Sequence, residues 1–325
     1  MSDDDNPMAT LTAAMRRVLD EQLALGWKPT GTLSVAELRR RPTLTDAAAS
    51  LLRKDGRTTA DRGVPVEELQ AGSAATALRI RLYRPPQAVP RAPMILYFHG
   101  GLWVDGGLDE YDASARALAV GTGAIVVAPA YRLAPEHPYP AAHDDAIAAH
   151  VWLLAEAARL GGDPKRIAVV GEGAGGNLAA NVVIRARDSA SRTPSALALI
   201  CPMIGTDTGS YSYNRTEGCR PLDKAAMRWY LHQAIDAAHW DDKRLNLGDF
   251  NLQGLPATTI VTADIDPLMF EGKLFGHKLE SSGVRLNYQN VEGVTHGFFG
   301  LDALLPEAAD AQSLVAMRLR DALQT

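Results

Sequence analysis

Apolar residues change their period along this chain, and the changes mark out its elements. Leu11, Met15, Leu19 and Leu23 recur at helical spacing within residues 8–26, and the stretch stops on Gly26, which predicts an amphipathic helix with a glycine end. A shorter helix is predicted over 44–54. At Leu78-Arg79-Ile80-Arg81-Leu82-Tyr83 the period drops to two, the mark of a half-buried strand, and Pro85-Pro86 closes it. The core is expected to start near residue 60, and from there short unbroken apolar runs take over at 94–98, 124–127, 167–170, 197–200 and 259–261. Helical stretches rich in Ala and Leu, such as 140–159 and 174–187, separate them. Runs that do not alternate belong to strands buried on both faces, and strand-helix alternation implies crossovers, so the expected fold class is α/β: a three-layer sandwich on a parallel sheet. Residues 205–250 break the rhythm with Tyr211, Tyr213, Met227, Trp229, Tyr230 and Trp240, and read as an insertion that covers something. No internal repeat is present.

The 325 residues suffice for two units or one large α/β domain. Lys and Arg number 33 against 38 Asp and Glu, a net charge of −5 without any basic block, which argues against nucleic acid as a partner. No apolar run approaches the ~18 residues of a membrane span. The start, Met1-Ser2-Asp3-Asp4-Asp5, is acidic where a secretory signal is basic and then apolar, so a cytoplasmic protein is expected. Cys201 and Cys219 are too few for a disulfide framework or a thiolate site and are expected as reduced thiols. The eight histidines form no HExxH or carboxylate-clustered pattern, so neither a metal nor another cofactor is expected. An exposed edge strand or the C-terminal helix leaves room for a homodimer that nothing in the sequence requires.

In an open parallel sheet a ligand lies beyond the carboxyl ends of the strands, so the residues directly after each run carry the chemistry. His99-Gly100-Gly101-Leu102-Trp103 follows the first run and offers backbone N–H groups free of side chains, suited to a developing oxyanion. Gly171-Glu172-Gly173-Ala174-Gly175-Gly176 follows the third and has the frame of a GxSxG nucleophile elbow with its serine missing. Gly171, Gly173 and Gly176 also satisfy GxGxxG, but a dinucleotide site places that motif after the first strand with an acidic residue ~20 positions on. Asp264-Ile265-Asp266-Pro267 follows the run at 259–261, and Thr295-His296-Gly297-Phe298 lies near the C-terminus. Elbow, then Asp, then His is the chain order of an α/β-hydrolase triad.

With these residues in view, the chain resembles the bacterial hormone-sensitive-lipase family of carboxylesterases. Tyr131-Arg132-Leu133-Ala134-Pro135-Glu136-His137-Pro138-Tyr139-Pro140-Ala141-Ala142 is similar almost letter for letter to that family's YRLAPEHPFPAA segment. The likeness continues through Gly254-Leu255-Pro256 and covers roughly residues 60–325. It implies an α/β-hydrolase core over 56–325 with a helical cap formed by 1–55 and the insertion 205–250. It also implies a carboxylic ester hydrolase for small to medium acyl esters, with Asp266 and His296 in the triad and the N–H groups of Gly100, Gly101 and Ala174 as the oxyanion hole. Position 102 is Leu where the family reads HGGG, which should narrow the pocket. Trp103, Phe298 and Phe299 flank the site loops and either line an apolar pocket or pack in the core. Glu172 is expected to support the elbow.

The nucleophile position itself is Gly173, which has no oxygen with which to form an acyl-enzyme. Three readings follow: an esterase scaffold whose serine is replaced; a natural lyase, dehydratase or cyclase using the His296/Asp266 pair as a base; or a ligand-binding protein that has lost chemistry.

Overall fold

The computed structural model describes residues 6–58, 62–72, 77–87, 89–189 and 191–324. The acidic start at 1–5, and residue 60, where the core is expected to begin, lie outside them. Eight strands among the described residues form one sheet: β1 (Val66–Ala71), β2 (Leu78–Tyr83), β3 (Ala92–Phe98), β4 (Ile125–Pro129), β5 (Gly162–Glu172), β6 (Ala196–Ile200), β7 (Ala257–Ile265) and β8 (Leu286–Thr295). Their order is β1-β2-β4-β3-β5-β6-β7-β8. β2 pairs antiparallel with both β1 and β4, and every other pair is parallel.

The unbroken apolar runs are buried on both faces. Met94, Leu96 and Phe98 of β3 and Ile167 and Val169 of β5 join one core, while Ile95, Tyr97, Ala168 and Val170 join the other. On the first face lie α5 (Ala141–Glu156), α6 (Ala174–Asp188) and α9 (Met269–Ser281); on the second lie α4 (Asp112–Thr122) and α10 (Pro306–Leu323). The edge strands β1 and β8 have no apolar run to betray them: VEELQA is mostly exposed and LNYQN is only half-buried.

The N-terminal region differs in detail from the single helix expected over 8–26. Asn6 caps a short 3-10 turn at Pro7–Thr10, and Thr12, in extended backbone, restarts the chain as α1 (Ala13–Ala24) by accepting the Met15 N–H on its hydroxyl. The side chains of Met15, Val18 and Leu19, with Ala47 and Leu51 of α3 (Leu44–Lys54), belong to the second core, and Thr12 N–H donates to Gly293 O at 2.9 Å beside β8. These two helices are thus continuous with the body of the fold, while α2 (Val35–Leu38) sends Leu38 into the first core together with α8 (Lys224–Ala234) of the insertion. Also in the insertion is the one-turn α7 (Tyr211–Arg215). Insertion and body are tied where Tyr139 N–H meets Ala234 O at 2.8 Å and where Asn177 and Asn181 of α6 donate to Leu245 O and Arg244 O.

Where β5 turns into α6, backbone passes so close to backbone that no side chain fits. A Cβ on Gly171 would lie 2.1 Å from Gly175 O, and one on Gly175 would lie 2.3 Å from both Phe98 O and His99 O. We expect Gly175→Ala to cost on the order of 3 kcal/mol in urea unfolding, since backbone cannot step aside as a side chain can. Gly31→Ala, whose Cβ would meet nothing within 4 Å, should stay within ~0.5 kcal/mol.

Candidate active site

Parallel register delivers the motif loops to one edge of the sheet. Phe98 pairs with Gly171, Glu172 with Ile200, Ile200 with Val261 and Ile265 with Thr295, so His99, Gly173, Cys201, Asp266 and His296 all emerge side by side. Asp266 is fully buried and uses both carboxylate oxygens: Oδ1 accepts the Leu268 N–H at 2.9 Å and Oδ2 lies 2.8 Å from His296 Nδ1. That bond places the proton on Nδ1 and leaves Nε2 as the basic nitrogen. Nε2 faces the elbow, 3.3 Å from where a Cβ on residue 173 would sit. Burial opposes charging the ring, but the Asp266 carboxylate, by its charge and hydrogen bond and with help from Glu172, outweighs it and raises the His296 pKa above the ordinary 6.5.

Gly173 has φ +53° and ψ −120°, a backbone that any side chain finds strained. It is pinned there on both sides, its N–H donating to Ile200 O and its carbonyl accepting the Met203 N–H, each at 2.9 Å. A side chain at this position would lie against the imidazole, which need give way by only a few tenths of an ångström, and a hydroxyl on it would be within hydrogen-bond reach of the ring. As the chain stands, an imidazole hydrogen-bonded to a buried carboxylate faces a residue with no side-chain oxygen.

The N–H groups of Gly100, Gly101 and Ala174 have no protein acceptor among the described residues. Glycine is required at the first two: a Cβ on Gly100 would lie 2.4 Å from the Tyr111 hydroxyl, and Gly101, at φ +100°, would press one to 2.0 Å from Asp105 O. The loop is braced from below by the YRLAPEHP segment. Tyr131 stacks on the His99 ring at 4.2 Å and donates its hydroxyl to His99 O at 2.8 Å. His99 is buried and its pKa is lowered to about 4 by that burial, so it is a neutral strut. Ala134 N–H holds Trp103 O, while Arg39 reaches across from the N-terminal segment to Val104 O, Ala134 O and, with both arms, the Glu136 carboxylate.

A cavity of about 110 Å³ opens beside His296 and Gly101. Leu102 lines it, as expected; Trp103 does not, and Phe298 lines instead a smaller cavity that touches Gly173 and His296. Trp103, at φ +60°, turns its indole into the core against His143, 5.0 Å between ring centres, and Phe298 is fully buried behind His296 against Phe299. Sequence reasoning missed the polar wall opposite: Gln22, Arg41, Asp105, Glu110 and Tyr230. Asp105 and Glu110 do follow the His-Gly-Gly loop within a dozen residues, which is a usable signal; Gln22, Arg41 and Tyr230 come from distant segments and leave none. Burial raises the Asp105 pKa, and burial together with the Asp105 and Asp46 charges pushes Glu110 up to about 8. Glu172, raised by its own burial, accepts the Tyr97 hydroxyl at 2.6 Å beneath the elbow.

For a metal, the described residues offer one group of three donors, Cys201, Asp266 and His296, whose ligand atoms lie within 4.8 Å of one another. Burial and then the neighbouring Asp266 charge hold the Cys201 thiol protonated, and the other two are bonded to each other, so the trio is a poor ligand set. Cys219 is likewise a buried free thiol.

Residues 95–300 match a family model described as alpha/beta hydrolase fold. A carboxylesterase of Mycobacterium tuberculosis is 38% identical over 264 residues, 79% of this chain and 83% of its own. An ethyl acetate hydrolase of Pseudomonas putida is 35% identical over 254 residues, 76% of this chain and 79% of its own. Among solved structures, a hyperthermophilic esterase from Pyrobaculum calidifontis is similar with a TM-score of 0.85 and 32% identity, covering 96% of this chain and 98% of that one. No helix of the described residues is long and apolar enough to cross a membrane.

The Glu110 pKa makes stability depend on pH in a stated direction. Its folded value of about 8 lies above the ordinary 4.5, so the folded state binds the proton more tightly, and stability falls as pH rises through that window. We expect Glu110→Gln to raise the melting temperature more at pH 9 than at pH 5, read by differential scanning calorimetry. An equal effect at both would show that the carboxyl ionises freely in the fold.

Proposed function

The chain belongs to the α/β hydrolases of hormone-sensitive-lipase type, and we propose on that premise that it is a carboxylic ester hydrolase scaffold whose covalent step is disabled at Gly173. The observation that carries this reading is the 3.3 Å between His296 Nε2 and an ideal Cβ on residue 173. Everything a serine would need surrounds that point. Asp266 orients the imidazole, the imidazole would take the hydroxyl proton, and the Gly100, Gly101 and Ala174 N–H groups would receive the oxyanion. The cavity of about 110 Å³ favours small to medium acyl esters.

A second cavity, of about 10 Å³, touches Glu172, Gly173, Cys201 and His296. It is of the order of one water-sized probe, and it favours a second reading in which His296 acts as a general base without a covalent intermediate.

Gly173→Ser separates the two. Restoring the hydroxyl should raise turnover of short p-nitrophenyl esters by ~10⁴–10⁶ and yield an organophosphate adduct on residue 173. The acidic limb of its pH profile should lie above 6.5, because the His296 pKa is raised and the base works only when neutral. The same change puts a side chain into strained backbone at a cost of about 1–3 kcal/mol, so the serine form should melt lower. A folded serine form with neither turnover nor adduct would sink the first reading. An activity of the glycine form that His296→Ala abolishes would establish the second.

A further inference from the structure

The cavity beside His296 is lined by more carboxyl groups than basic ones. Asp105, Glu110 and Glu172 bring three carboxyl groups to its wall, against the Arg41 guanidinium and the His296 imidazole. Glu172 is served by Tyr97. Arg41 is turned away in part: Nη1 donates to Lys28 O and Thr30 Oγ1, both at 3.0 Å, and the guanidinium lies 5.3 Å from the centre of the Trp27 ring. An independent observation comes from Gln22, another residue of the wall, which is 3% exposed. Its Nε2 donates to Pro42 O at 3.1 Å, which fixes the amide's orientation and makes Oε1 the remaining polar atom. Oε1 is buried and has no partner. A buried acceptor left unmade costs free energy that a ligand donor would recover.

We propose that this wall binds a protonated amine, so that the substrate class is a small carboxylic ester carrying an ammonium group, with Gln22 Oε1, Asp105 and Glu110 as its acceptors. The ester half of this statement rests on the hydrolase reading above; the ammonium half rests on the wall alone. A cation there satisfies the orphaned amide oxygen and favours ionisation of Glu110, which its burial and acidic neighbours otherwise hold mostly protonated at neutral pH, whereas a carboxylate ligand would oppose that ionisation. A purely apolar ligand would leave the Gln22 oxygen unpaired.

The test uses two esters of the same shape, 2-(dimethylamino)ethyl acetate and 3-methylbutyl acetate, which differ by a protonated nitrogen in place of a CH group. Titration calorimetry on the present chain at neutral pH should find the amine bound at least ~10-fold more tightly, the size expected of a charge-assisted hydrogen bond. Asp105→Asn with Glu110→Gln should shrink that preference to about twofold or less, once both carboxyl groups are gone. Should the double variant not fold, Gln22→Leu carries the comparison, and it should weaken the amine more than the neutral ester and so shrink the preference. Equal or tighter binding of the neutral ester overturns the inference, as does a preference that survives these substitutions. Hydrolysis by Gly173→Ser is read separately. A serine form that cleaves neither ester defeats the hydrolase reading, while a persisting amine preference in the glycine form still supports an ammonium site.

Discussion

The turn from β5 into α6 is the constraint on which the rest of the site depends. A strand that must become a helix within three residues, with its first helical turn pressed against the end of β3, leaves no room for Cβ atoms at Gly171 and Gly175. That closeness brings Gly100 Cα to within 3.8 Å of a Cβ built on residue 173, whose backbone is held at φ +53°. Steric exclusion and backbone strain are different demands, and the chain meets them at different positions. Space forbids a side chain at Gly171 and Gly175, but at Gly173 the main resistance is the backbone conformation. A serine could return there with a small shift of the His296 ring.

Electrostatics divide the site in two. On one side the buried Asp266 carboxylate favours the charged imidazole of His296 by direct contact, with its second oxygen satisfied by the Leu268 N–H. On the other, burial pushes Asp105 and Glu110 toward the neutral form, helped at Glu110 by its acidic neighbours and only partly offset by the Arg41 charge, as the Glu110 pKa of about 8 records. One environment has its counter-charge in direct contact, and the other has it only at longer range.

How much of this the sequence could reveal follows from how local each feature is. The strands that lead to Gly173 and Asp266 are unbroken apolar runs, so those two could be named from their places after the runs, whereas His296 follows β8 and could be named only from chain order. The edge strands β1 and β8 lack such runs because one side of each faces solvent or a loop. Trp103 follows a glycine loop, from which either a pocket or a core position is open to it, and at φ +60° it packs in the core against His143. The polar wall was illegible for a topological reason: residues 22, 41, 105, 110 and 230 meet only after the N-terminal segment and the insertion have folded over the sheet. The thiol of Cys201 beside Asp266 is a similar case, a single residue after β6 whose neighbours depend on parallel register.

The Arg39 clamp joins the mouth of the cavity to its floor. One guanidinium holds Val104 O just beyond the His-Gly-Gly loop, Ala134 O in the bracing segment and the Glu136 carboxylate, while its own backbone belongs to the N-terminal segment that carries Arg41 and Thr43. The segment cannot swing outward at that point without freeing both carbonyls. Any outward movement of that segment would therefore disturb the cavity wall and the loop after the His-Gly-Gly turn together.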